Sequence, residues 1–121
     1  GVISVSDVEN KNDIYFGIGG APEGVLAASA LSCLNCQMQT KLIFYDEKEK
    51  IKAKKLGITN LEKKYNIIDM VKDDVLFCAT GVTNGDIVQG IKTHEDTFYS
   101  ETYVLHKKSN LNKIIKNKIK K

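Results

Sequence analysis

Apolar positions in this chain gather into short runs set apart by glycines and charged stretches, and the spacing of those runs predicts the elements. Residues 1–12 predict a short helical lead-in that ends in polar residues 9–12. Residues 13–18 (Asp13-Ile14-Tyr15-Phe16-Gly17-Ile18) predict a buried strand. A glycine turn follows, and Pro22 suits the first position of a helix. Val25, Leu26, Ala27, Ala28, Ala30, Leu31 and Leu34 make that helix apolar almost all round, which predicts deep burial against a sheet. Residues 41–45 predict a short strand. Residues 46–56 predict a charged, solvated helix, closed by Gly57. Residues 66–71 are a short apolar stretch, 74–80 a second strong strand, and 81–86 turn chemistry. Residues 87–91 and 98–106 predict further strands.

The order is that of an α/β protein, in which ligands collect where strands end in polar and glycine-bearing loops. Two loops have that placement, 17–24 and 80–86. The second carries hydroxyls, an amide and a carboxylate. These suit either sugar hydroxyl contacts or an Asn84-Gly85 turn.

Charge changes the picture at one end only. The net charge of +3 arises from 18 Lys against 15 acids, with no Arg. Seven of those lysines lie in 107–121, which holds no acid, so residues 1–106 carry 11 Lys against 15 acids. The body is mildly acidic and the end is basic. Two units follow: an α/β domain over 1–106 and a Lys-rich tail over 107–121. The tail is expected to be solvated, with Leu111, Ile114, Ile115 and Ile119 leaving a strand or helix open. Arg is the better bidentate phosphate partner, and no aromatic residue interleaves with the tail lysines. No nucleic-acid partner is therefore expected.

No apolar run approaches the roughly 20 residues of a membrane span, and no signal-peptide pattern is present. No membrane partner is expected, and three Cys without a secretory signal point to the cytoplasm. The opening Gly1, in place of Met, predicts a processed, engineered or partial chain. Cys33 and Cys36 form a C-x-x-C pair, but near the end of the predicted helix, where the dipole does not activate a thiol. The three Cys are expected to be buried or half-buried structural residues. His94, His106 and Glu101 are expected to face solvent.

The candidate chemistry sits in Gly17-Ile18-Gly19-Gly20-Ala21-Pro22-Glu23-Gly24. A glycine turn entering a helix points backbone N–H groups at an anion. Glu23 in the first turn would repel a bare phosphate. A divalent cation held by Glu23 and bridging to phosphate oxygens reconciles the two. Glycines making a tight turn, with Glu23 a favourable first-turn charge, explain the same residues without a ligand.

Three stretches carry a resemblance: 17–28, Cys33-Leu34 with Met38-Gln39, and 74–86 (Asp74-Val75-Leu76-Phe77-Cys78-Ala79-Thr80-Gly81-Val82-Thr83-Asn84-Gly85-Asp86). In this order they resemble class II, GlpX-type fructose-1,6-bisphosphatases, over about residues 13–105. The resemblance implies a layered α/β sugar-phosphatase fold, with a mixed sheet flanked by helices, of which this chain is the C-terminal portion. It implies a gluconeogenic hydrolase that removes the 1-phosphate of fructose 1,6-bisphosphate with Mn²⁺ or Mg²⁺ and is a homo-oligomer when intact. It assigns Glu23 as a metal ligand and Gly20 as a substrate contact, and no catalytic residue within this chain. The remaining acidic ligands and the residue orienting the attacking water belong to an N-terminal half. Asn84 stands where the family usually has Asp. A non-catalytic sugar-phosphate binding module is the alternative.

Overall fold

The computed structural model describes residues 2–6 and 12–121. A short 3-10 helix covers Val2–Ser6. Then come α1 (Ala21–Cys33), β1 (Gln39–Lys41), α2 (Glu47–Lys55), β2 (Lys64–Asn66), α3 (Ile67–Met70), β3 (Leu76–Thr80), β4 (Lys92–His94), β5 (Thr97–His106) and β6 (Leu111–Lys120). The architecture is α/β, with sheets flanked by helices, and the strand pairs among the described residues are antiparallel.

Strand β5 organises the larger sheet. One of its edges takes β6 along the whole length, from Thr97↔Lys120 to His106↔Leu111. Its other edge is shared: β3 pairs over Thr102–His106 and β4 over Thr97–Tyr99. The segment expected as a Lys-rich tail is therefore a tight turn, with Asn110 in the left-handed region (φ 52), followed by a ten-residue strand. Full-length pairing with β5 settles which of the two open structures forms. A second, two-stranded sheet pairs β1 with β2.

The core is small. Ala30 and Cys33 of α1 meet Tyr103 and Leu105 of β5, and Ile3, Leu34, Val75, Phe77 and Val88 close round them. Only the C-terminal half of α1 is buried, at Ala28 and over 30–33, while Val25 and Leu26 are exposed. The all-round apolar pattern overstated the packing because α1 meets the sheet at one end.

Helix α2 follows its local signals closely. Asp46 caps it by accepting from the Glu49 N–H (2.8 Å), and Glu49 in turn accepts from the Tyr45 N–H (2.8 Å). Gly57 ends it at φ 88, a conformation side chains resist, and the Ile58 N–H reaches back to the Ala53 carbonyl (3.0 Å). Ala53 is its one buried residue, so the charged face is solvated as expected.

Three predicted strands differ. Residues 13–18 form no strand, and Ile14, Phe16 and Ile18 are exposed. An apolar run becomes a strand only where a ladder partner meets it, and no described strand pairs with this one. Instead of 41–45, β1 spans Gln39–Lys41. Residues 87–91 are also not a strand, because their backbone donors are committed elsewhere. The Gln89 N–H goes to the Glu101 carboxylate (2.9 Å), Gly90 to the Asn84 carboxamide oxygen (3.0 Å) and Ile91 to the Val82 carbonyl (3.2 Å).

Candidate functional site

The chain enters α1 through Gly20, the N-cap, whose backbone is extended (φ −68, ψ 158) and which has no side chain to cap the helix. Pro22 lies in the first turn, one place later than expected from Ala21, and sets the entry angle without needing a hydrogen bond. The Gly24 N–H closes the first turn on the Gly20 carbonyl (3.0 Å). Pro22 has no N–H, so the turn's outward-facing backbone donors are those of Ala21 and Glu23.

Gly20 and Glu23 are brought together. The Glu23 carboxylate folds back over Gly20, and a Cβ at position 20 would land on its Oε2. The absence of a side chain at 20 thus makes the space in which the carboxylate lies beside the helix N-terminus. Both residues are exposed. The cradle fits one carboxylate ligand of a divalent cation, next to N–H donors suited to a phosphate oxygen. Among the described residues no three His, Cys, Asp or Glu side chains gather into a fuller metal cage.

The second loop is built differently. Gly81 and Gly90 are both buried, and a Cβ on either would strike the opposing backbone: the Gln89 carbonyl at 81, and Thr83 at 90 (2.7 Å). Glycine is required there for close backbone approach. The Gly81 N–H donates to the Glu101 carbonyl (3.0 Å), and Gly85 to the Val88 carbonyl (3.0 Å). Asn84 has a structural task, since its side-chain oxygen accepts from Gly90. A carboxylate oxygen at this position would accept the same bond.

Glu101 is not the outward-facing charge expected of it. Its carboxylate holds the loop through Gln89 and faces Lys116 (3.5 Å). The Gln89 N–H bond, aided by Lys116, keeps its carboxyl below the usual range.

His106 is likewise not free. One ring nitrogen meets the Asp74 carboxylate (Nε2–Oδ2 2.9 Å) and the other the Ser109 hydroxyl (Nδ1–Oγ 2.7 Å). Asp74 also accepts from the Lys108 N–H (3.0 Å) and its neighbour Val75. The cluster ties the start of β3 to the β5–β6 turn. Desolvation pushes the Asp74 carboxyl up, but the bonds from His106 and Lys108 outweigh it and leave it below the usual range. The Asp74 and Glu101 contributions to stability are therefore complete above the ordinary carboxylate range and are lost as pH falls through the lower folded values. Urea midpoints are expected to hold from pH 7 to about 5 and to drop below about 4. The double variant Asp74→Asn/Glu101→Gln should flatten that acid drop. An unchanged pH profile would count against these anchors.

Of the cysteines, Cys33 is buried and Cys36 half-buried, as expected, but Cys78 is exposed on β3. Burial pushes the Cys33 thiol up, consistent with a structural role. His94 is exposed on β4, as expected. No helix among the described residues is long and apolar enough to cross a membrane.

The chain is 38% identical over 111 residues to the fructose-1,6-bisphosphatase class 2 of Haemophilus influenzae, covering 80% of this chain and 33% of the relative. It is 32% identical to each of two Escherichia coli K12 proteins. They are fructose-1,6-bisphosphatase 2 class 2, over 80% of this chain, and fructose-1,6-bisphosphatase 1 class 2, over 84%. In each case 34% of the relative is covered, so the chain spans about a third of the length of the relatives it matches. The family model described as bacterial fructose-1,6-bisphosphatase, glpX-encoded, matches residues 1–119, and the chain belongs to that family.

Proposed function

We propose that this chain supplies part of the active site of a class 2 fructose-1,6-bisphosphatase, which hydrolyses the 1-phosphate of fructose 1,6-bisphosphate to fructose 6-phosphate and phosphate. The observation that carries the reading is the Glu23 carboxylate folded over Gly20 at the start of α1, in a chain of this family. Glu23 is the residue that would hold a Mn²⁺ or Mg²⁺ ion through its carboxylate. Gly20 lets a phosphate approach the backbone, and the N–H groups of Ala21 and Glu23 orient its oxygens. A divalent cation bound there supplies charge neutralisation and activation of water. The parent enzyme acts in gluconeogenesis in the cytoplasm, as a homo-oligomer.

One carboxylate cannot both complete the shell of a metal ion and activate water. The 121 residues alone are accordingly expected to release no phosphate from fructose 1,6-bisphosphate with Mn²⁺ above a no-protein control. Robust Mn²⁺-dependent turnover by this chain would sink the proposal that the other ligands come from outside it.

A further inference from the structure

Residues 13–18 have the make-up of a buried strand and none of its partners. Residues 12–20 form no helix, turn or bend. Among the described residues, no backbone hydrogen bond joins 13–19 to another segment. The donors and acceptors of this stretch stand open, an arrangement folded proteins rarely leave in an apolar run. Ile14, Phe16 and Ile18 are 69%, 88% and 80% exposed, and alternate residues of an extended chain share a face. Strand β6 shows how this protein treats an edge that does meet water. It pairs with β5 alone and carries Lys113, Lys116, Lys118 and Lys120, charges of the kind that keep an edge from further pairing. Residues 14–18 carry no charge and no proline. They also run directly into Gly20 and Glu23, so whatever covers them lies beside a cradle that holds one carboxylate.

We propose that 13–18 is a docking strand for the part of the class 2 enzyme that lies outside these 121 residues. That part adds a β-strand to the open backbone and an apolar face over Ile14, Phe16 and Ile18. The chain spans about a third of its relatives' length, so the remainder is ample to supply both. A second copy of this chain fits less well. Two identical strands paired edge to edge about a two-fold axis run antiparallel, which sends their 17–24 loops to opposite ends of the pair. Neither cradle would then gain a ligand. The inference rests on the function proposed above in taking the chain as part of such an enzyme.

The test is photo-crosslinking in the complete parent enzyme carrying Phe16→p-benzoylphenylalanine, with mass spectrometry of the products. A crosslink within one chain, to a residue outside these 121, is expected. A crosslink to a second copy, seen at dimer mass, overturns the inference. So does a crosslink back into the 121 residues, or none in a folded variant. Amide exchange on the unaltered parent decides the matter if the bulkier ring prevents folding. The amides of 14–18 should exchange at least about a hundredfold more slowly than those of an unstructured chain. Unprotected amides there, or protection that disappears on dilution, overturn the inference. Glu23→Gln should change neither the crosslink nor the exchange, so failure of the metal site and failure of docking are told apart.

Discussion

Leu105→Ala is expected to cost about 3 kcal/mol of folding stability. Leu105 is the one large side chain among the described residues with essentially no solvent exposure, and it sits where β5 meets α1. Its neighbours Ala30, Cys33 and Tyr103 are held by helix and sheet backbone and cannot collapse far into the space it would leave. The loss therefore includes both transfer and cavity contributions. The buried apolar set is otherwise poor in bulk: three of its members are alanines, whereas Ile14, Phe16, Ile18 and Leu26 face solvent. In a domain with a typical margin of 5–15 kcal/mol, one deletion of this size takes a large share. Leu26→Ala, on the exposed half of α1, is expected to change stability by no more than about 0.5 kcal/mol. Urea unfolding of the two variants measures the difference. Equal losses would mean that the core is not centred on Leu105.

Legibility from sequence followed the range of the forces involved. Helix α2 was readable almost to the residue because Asp46, Glu49 and Gly57 act within one turn of the positions they fix. Strands β3 and β5 were readable from their apolar runs. The glycine loop was readable as a helix entrance because Gly20, Pro22 and Glu23 are adjacent. Pairings over longer range were not. Nothing local distinguishes residues 87–91, which fold into a loop, from 98–106, which pair on both edges. The difference lies in Glu101 and Asn84, whose acceptors claim the donors of Gln89 and Gly90. The His106–Asp74 contact spans 32 positions in the chain and carries no sequence signature. Strand β6 hid behind its lysines because its apolar residues fall on both faces, at Ile114 and at Ile115 and Ile119, so the period-2 signal is broken. The separation of aromatic from basic residues along the chain was real. It disappears only when β4, β5 and β6 lie side by side.

Within the complete parent enzyme, Glu23→Gln is expected to lower Mn²⁺-dependent phosphate release about a hundredfold or more. Loss of even an outer-shell partner costs 10–100-fold in metal affinity or activity, and this change removes the anionic ligand itself while keeping its shape. Gly20→Ala should approach the same loss by another route. The backbone at 20 is in a region open to alanine, so the helix entrance is not strained. The added methyl instead displaces the Glu23 carboxylate, the far end of a flexible side chain that can swing into solvent. Folding should change by less than about 1 kcal/mol, while the cradle is lost. The two variants thus separate function from stability. Thermal unfolding should superimpose on that of the unaltered protein, and phosphate release should collapse in both. If Gly20→Ala retained full activity while Glu23→Gln lost it, the carboxylate would work from a position away from Gly20 and the folded-back arrangement would not be the working one. If both retained activity, Glu23 would be no more than a favourable first-turn charge, and the phosphatase chemistry proposed for this loop would have to be assigned elsewhere.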